Sequence, residues 1–369
     1  METKAAILWE QGAEWSVEPI ELDPPKGREV QVRLVASGMC HSDEHVVTGD
    51  LPGSLPIICG HEGGGVVEAV GPDVTFVEPG DHVVFSFVPS CGSCPSCASG
   101  HSNLCDNGGA IMGGRQMDGS SRHHARGQDL NTLVLLGTFA HHTVVHEWSC
   151  VKVPKEVPLN RACLVGCGFT TGWGSSVYAA EVQAGDKVAV VGLGGIGSAA
   201  VQGAALAGAE QIFAIDPVEW KREKAQGFGA THIAASLEEA HELIQEATWG
   251  RGCDKVIMAM GVGDGALMGQ VMGLAAKRGR VVITNIHSAT ETSNNISLLD
   301  LTLSEKQVVG SLFGSANPRK DIPRLLELYS AGRIDLDGMV TRTYSLDDIN
   351  QGFQDMREGK NIRGVLVYE

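Results

Sequence analysis

Four cysteines fall within fifteen residues, spaced Cys91-x2-Cys94-x2-Cys97-x7-Cys105. Thiolates at this spacing can close a tetrahedral shell on one zinc, and the glycine and proline among them let the backbone wrap the ion. Iron–sulfur proteins also use C-x2-C-x2-C, usually with a fourth cysteine and a proline placed differently. A closed four-sulfur shell leaves no open position, so a metal here would hold a lobe together and do no chemistry.

A catalytic zinc needs three protein ligands and a vacancy. The candidates are Cys40 in Gly38-Met39-Cys40-His41-Ser42-Asp43-Glu44-His45, His61 in Gly60-His61-Glu62-Gly63, and Cys167 in Gly166-Cys167-Gly168. Two cysteines and a histidine suit a zinc that polarises an alcohol. Ser42 and His45 could pass the alcohol proton to solvent, Asp43 could hold the His61 imidazole, and Glu62 sits beside the metal. Each also has a plainer reading: Cys40 as a core thiol, His61 as a turn histidine, Glu62 as a surface charge.

Soon after Cys167, the run Asp186-Lys187-Val188-Ala189-Val190-Val191 leads into Gly192-Leu193-Gly194-Gly195-Ile196-Gly197. A lone G-x-G-x-x-G says little. This one follows a β-branched strand, opens a helix, and meets Asp216 nineteen residues later at the end of a second strand. That context marks a dinucleotide turn, with the amides of Gly192, Gly194, Gly195, Ile196 and Gly197 around the pyrophosphate. Asp216 would accept from the ribose 2′-hydroxyl and repel a 2′-phosphate, which favours NAD over NADP.

The elements that position these residues divide the chain. Its 369 residues are too many for one simple core. Up to about residue 160 the pattern is β-rich, with strands over 4–8, 30–36, 65–70 and 81–85 separated by Pro/Gly turns. From 169 to 312 strand and helix alternate, with strands at 187–191, 211–215, 255–259, 280–284 and 307–312 and a helix at 237–247, which means a parallel sheet with crossover helices. Helices at 323–329 and 345–356 and a strand at 364–368 close the chain. The polar stretch 108–131 reads as a long loop, too long for a mere connector.

Composition removes several classes of function. A net charge of −16 with no offsetting basic patch excludes nucleic acid and anionic membranes as partners. The uncharged run 188–209 is long enough to test as a membrane span, but its six glycines and strand–turn–helix rhythm read as buried strand and helix. The first residues lack an apolar signal core, so a cytoplasmic location is expected and the ten cysteines read as thiols and ligands.

Taken together, Gly60-His61-Glu62-Gly63-x-Gly65, Val66-Val67-Glu68-x-Val70-Gly71, Gly80-Asp81-His82-Val83, Cys40-x-Ser42-Asp43, the four-cysteine lobe, Gly166-Cys167-Gly168 and the glycine turn resemble, in order, the zinc-dependent medium-chain alcohol dehydrogenases. The resemblance covers essentially the whole chain. It implies an α/β protein: a GroES-like β-rich catalytic domain over 1–168, a Rossmann doubly wound parallel-sheet domain over 169–312, and a return segment over 313–369. It implies two zinc ions per chain, held catalytically by Cys40, His61 and Cys167 and structurally by the four-cysteine lobe. Ser42 and His45 become the proton relay, with Glu62 and Asp43 beside the metal. NAD would meet Lys221 on its adenosine side, Arg363 on its pyrophosphate, Ser311 and Phe313 at the carboxamide, and Thr171 at the nicotinamide face. His41 stands where many members carry a pyrophosphate arginine, so its contact would weaken as it deprotonates. Leu51, Phe87, Leu136, Ile286 and Leu312 match the substrate barrel, although composition alone favours a core role for any one of them.

A finer resemblance, carried by Pro89–Cys97, Leu136-Gly137-Thr138-Phe139, Cys163–Cys167, Pro217–Arg222 and Gly359–Gly364, is to the nicotinoprotein branch. Those enzymes keep NAD bound and pass electrons to an external acceptor, artificially a nitrosoaniline. The alternatives are an ordinary NAD-exchanging dehydrogenase, a glutathione-linked formaldehyde dehydrogenase, or a zinc-free reductase-like or binding member of the superfamily. An alcohol or aldehyde substrate and a homo-oligomer, dimer or tetramer, are expected. Read as an edge strand, 307–312 also points to self-association.

Overall fold

β-Branched runs in the first 160 residues pair into two sheets, and the end of the chain returns to finish one of them. The computed structural model describes residues 1–288 and 291–368. It divides into one unit of Met1–Cys167 with Asn317–Glu369 and another of Gly168–Ala316.

In the first unit, the strand Glu29–Gly38 is the spine of a seven-stranded sheet. It pairs antiparallel with Glu62–Val70, with His142–His146 and with the closing strand Arg363–Val367. The register sets Gly38 opposite both Glu62 and Val365, so chain segments about three hundred residues apart meet at one strand end. A second, six-stranded sheet is built on Glu2–Leu8 and Ser16–Leu22. Its core includes Trp15, Phe139 and Phe353, whose rings pack edge-on or stacked.

The second unit carries a six-stranded, all-parallel sheet. Its spatial order is His232–Ala234, Gln211–Ile215, Lys187–Val191, Cys253–Met258, Ala275–Ile283, Gln307–Gly310. The order reverses direction beside Lys187–Val191, which makes that strand's carboxyl end the switch point where doubly wound sheets bind ligands. The expected strands and the helix Leu237–Ala247 are present. The three-residue strand His232–Ala234 is too short to leave a pattern in the sequence.

The stretch 108–131 differs from the expected plain loop. It holds the end of a 3-10 turn, Asp106–Gly113, and a hairpin of His123–Ala125 with Gln128–Asp129. Buried Arg122 anchors it through Glu29 at 2.6 and 2.7 Å and Asp118 at 2.8 Å. Pieces of two or three residues are set by this long-range ion pair and not by any local period. Among the described residues, no helix is long and apolar enough to cross a membrane.

Candidate active site

Cys40 follows the spine strand and precedes the helix His41–Thr48, while His61 immediately precedes the neighbouring strand and Glu62 opens it. Cys167 ends the first unit after the 3-10 turn Cys163–Gly166. One ligand atom from each of Cys40, His61, Glu62 and Cys167 lies within 4.8 Å of the others, and all four residues are buried. Asp43, fully buried, accepts from the backbone N–H of Cys40 at 3.2 Å and of Gly60 at 2.8 Å, and its Oδ1 lies 3.2 Å from His61 Nδ1. That contact fixes Nδ1 as the protonated nitrogen and aims Nε2 at the cysteines. Nε2 is buried with no hydrogen-bond partner. An orphaned imidazole nitrogen facing two thiols is what a metal would satisfy, and a Cys2His set is already known for alcohol dehydrogenases.

Electrostatics agree with that donor set. A hydrogen bond from Cys167 holds the Cys40 thiol well below its ordinary pKa, and the same bond together with burial raises Cys167. Burial works against a charged His61, but Asp43 and Cys40 outweigh it and raise its pKa. Glu62 does not face the ligands alone: its Oε2 pairs with Arg363 Nη2, and both residues are buried. A Cβ on Gly38 would collide with Glu62 Oε2, so this close approach requires glycine. Arg363, expected at the pyrophosphate, is thus tied in this structure to Glu62, a pairing for which the sequence carries no local signal.

Ser42 and His45 share one face of the helix, a turn apart. Ser42 Oγ lies 3.7 Å from Cys40 Sγ, and His45 Nδ1 lies 3.4 Å from Asp50. His41, the first helical residue, is exposed. Of the apolar candidates in this unit, Phe87 sets its ring edge-on 6.1 Å from His61 and Leu51 is half-buried. Leu136 is fully buried within the hydrophobic core.

The four-cysteine lobe also converges. Cys91 Sγ lies 3.9 Å from Cys97 Sγ, and Cys94 Sγ lies 3.8 Å from Cys105 Sγ. Tetrahedral zinc with the usual zinc–sulfur bond sets its sulfurs ~3.8 Å apart. Backbone N–H groups of Cys94, Cys97 and Asp106 each donate to a lobe sulfur at 3.4 Å.

In the second unit the glycine turn leaves Lys187–Val191 and enters the helix Gly195–Ala207, which has no side-chain cap. Gly192 has φ +92°, and a Cβ on Gly197 would overlap the Gly192 carbonyl. A Cβ on Gly194 would meet nothing within 4 Å, so the backbone there is open to a close-lying phosphate. Asp216 accepts from Leu193 N–H at 2.8 Å and Val218 N–H at 2.9 Å, which fixes its carboxylate beside the turn with lone pairs to spare. Lys221 is half-buried, and desolvation lowers its pKa against the pull of Asp216. Thr171 is buried in the helix Gly168–Gly174. Ser311 donates its N–H to Ile283 at 2.9 Å. Phe313 buries its ring at φ +56°, so its main chain is what it can offer a ligand. Ile286 is half-buried and Leu312 exposed.

Comparison with known proteins gives this geometry a family. The alcohol dehydrogenase GroES-like domain family matches residues 26–155, and the zinc-binding dehydrogenase family matches residues 195–331. Alcohol dehydrogenase B of Mycobacterium tuberculosis is 50% identical over 100% of this chain and 99% of its own. The chain belongs to the zinc-dependent medium-chain alcohol dehydrogenases. It is an oxidoreductase acting on alcohols. An NDMA-dependent alcohol dehydrogenase of Amycolatopsis methanolica is 49% identical over 100% of this chain and 99% of its own. The solved benzyl alcohol dehydrogenase of Acinetobacter calcoaceticus superposes with a TM-score of 0.93 at 31% identity, covering all of both chains.

Proposed function

We propose that this family member oxidises a primary or secondary alcohol to the aldehyde or ketone by hydride transfer to NAD that stays bound and is reoxidised by an external acceptor. The observation that carries the reading is the near-half identity, end to end, with an NDMA-dependent enzyme. Zinc, when bound by Cys40, His61 and Cys167, supplies the Lewis acidity that lowers an alcohol's pKa. Asp43 holds His61 in the tautomer that presents Nε2. Ser42 and His45 take the hydroxyl proton toward solvent along one helix face, and the paired Glu62 and Arg363 keep a buried charge balanced next to the thiolates. The glycine turn admits the pyrophosphate, and Asp216 selects NAD by accepting from the ribose. A second zinc in the four-cysteine lobe is structural.

Self-association is proposed through the second unit. The edge strand Gln307–Gly310 ends its sheet, and the preceding helix exposes Leu298, Leu299 and Leu303 by 73%, 70% and 73%. Sedimentation of a Leu299→Glu variant tests this: a lasting oligomer would refute it.

The function is tested on the purified protein with no added nucleotide. An alcohol should raise the near-ultraviolet band of reduced nicotinamide at once, and a nitrosoaniline should bleach it over many turnovers. No band until free NAD is supplied, with NADH then leaving into solution, would make the enzyme an ordinary exchanging dehydrogenase.

A further inference from the structure

We propose that Arg319 is the counter-cation of the four-cysteine lobe, holding the lobe's metal by charge from the return segment of the chain. The proposal rests on the lobe being a zinc site. Four thiolates on one Zn2+ leave an excess of negative charge, and such a centre needs compensation when it is partly buried. Among the described residues, the donors that reach the lobe sulfurs from within the lobe are neutral: backbone N–H groups, the Ser93 hydroxyl on Cys91 at 3.7 Å and the Asn107 amide on Cys105 at 3.8 Å.

Arg319 reaches the lobe from the helix Pro318–Ser330, far along the sequence. Its Nη1 lies 3.9 Å from where a Cβ on Gly92 would stand, and its guanidinium sits 3.9 Å over the ring of Phe76. Nη2 is buried without a hydrogen-bond partner, which is costly for a charged group unless a nearby charge offsets it. Glu147 is within Coulombic reach, but its carboxylate is engaged by Arg28 at 2.5 Å and by the N–H groups of Thr75 at 2.8 Å and Phe76 at 3.2 Å. The other groups within its Coulombic reach that carry negative charge once they hold a metal are the lobe's Cys97 and Cys91. The contact over Phe76 holds the cation beside Gly92, next to Cys91 in the lobe. Arg319 is therefore a positioning residue for the lobe, not a ligand.

The test is iodoacetamide labelling of the holoenzyme, with each cysteine followed by peptide mass spectrometry. Arg319→Gln is expected to speed labelling of Cys91, Cys94, Cys97 and Cys105 roughly tenfold or more, the usual effect of losing an outer-shell partner. Arg319→Lys, which keeps the charge, should label near the wild-type rate, and buried Cys163 and Cys253 should stay protected in both. Slow labelling in Arg319→Gln overturns the proposal. So does Arg319→Lys behaving like Arg319→Gln, or Cys163 labelling in step with the lobe, since those outcomes mean packing and not charge. A wild-type lobe that labels as fast as free thiols refutes the zinc reading itself. Should Arg319→Gln fail to fold, the surface variant Phe76→Leu frees the guanidinium, and unchanged lobe labelling there overturns the proposal.

Discussion

Replacing Asp43 by asparagine keeps the shape of the side chain and removes the charge that holds His61. The wild-type carboxylate, fully buried, serves Cys40 N–H, Gly60 N–H and His61 Nδ1 at 3.2, 2.8 and 3.2 Å. An asparagine oxygen can still accept from Gly60 and His61, but its NH2 then faces the Cys40 N–H, donor against donor. One buried backbone donor loses its partner, which costs about 1–3 kcal/mol of stability. The imidazole loses its charged partner as well, and outer-shell changes of that kind weaken metal binding about 10- to 100-fold, or about 1.4–2.7 kcal/mol. Competition with a chromophoric zinc chelator measures the second effect and thermal melting the first. Turnover should fall in proportion to zinc lost and return when zinc is added in excess. Zinc affinity equal to wild type, with the melting temperature unchanged, would refute the role given to Asp43.

Three further outcomes follow from the same structure. Gly197→Ala places its Cβ on the Gly192 carbonyl and should cost about 3 kcal/mol or more in a urea melt. Gly194→Ala meets open space, so it should melt like wild type and yet release NAD roughly tenfold more readily on gel filtration; full retention would count against the pyrophosphate site. Burial, with help from His124 and Arg122, lowers buried His123 to about 3, so below pH 6.5 the unfolded chain takes up a proton that the folded chain refuses. That stabilisation is complete above pH 6.5 and lost as pH falls, by about 2 kcal/mol between pH 7.5 and 5. Urea midpoints of His123→Gln should lose that part of the acid sensitivity, and an unchanged slope would remove His123 from the account.

The sequence by itself determined whatever a few consecutive residues can fix. C-x2-C-x2-C-x7-C brings four sulfurs together because tight turns leave them little other choice, and G-x-G-x-x-G after a β-branched strand dictates a tight strand-to-helix turn through positive φ at Gly192 and missing side chains. Strands such as Lys187–Val191 and the helix Leu237–Ala247 were legible for the same reason: their period lies within one element. Cys40, His61 and Cys167 were readable one by one only as candidates, and family resemblance, not spacing, joined them. Tertiary structure decided what depends on strand register across the chain. Pairing Gly38 with both Glu62 and Val365 sets Arg363 against Glu62, burial places Leu136 inside the core, and Arg122 orders a stretch that reads as loop. Arg319 belongs to the same class. A charge acts through space, so a residue of the return segment can complete a site that begins at Cys91, and no local pattern in the sequence marks it.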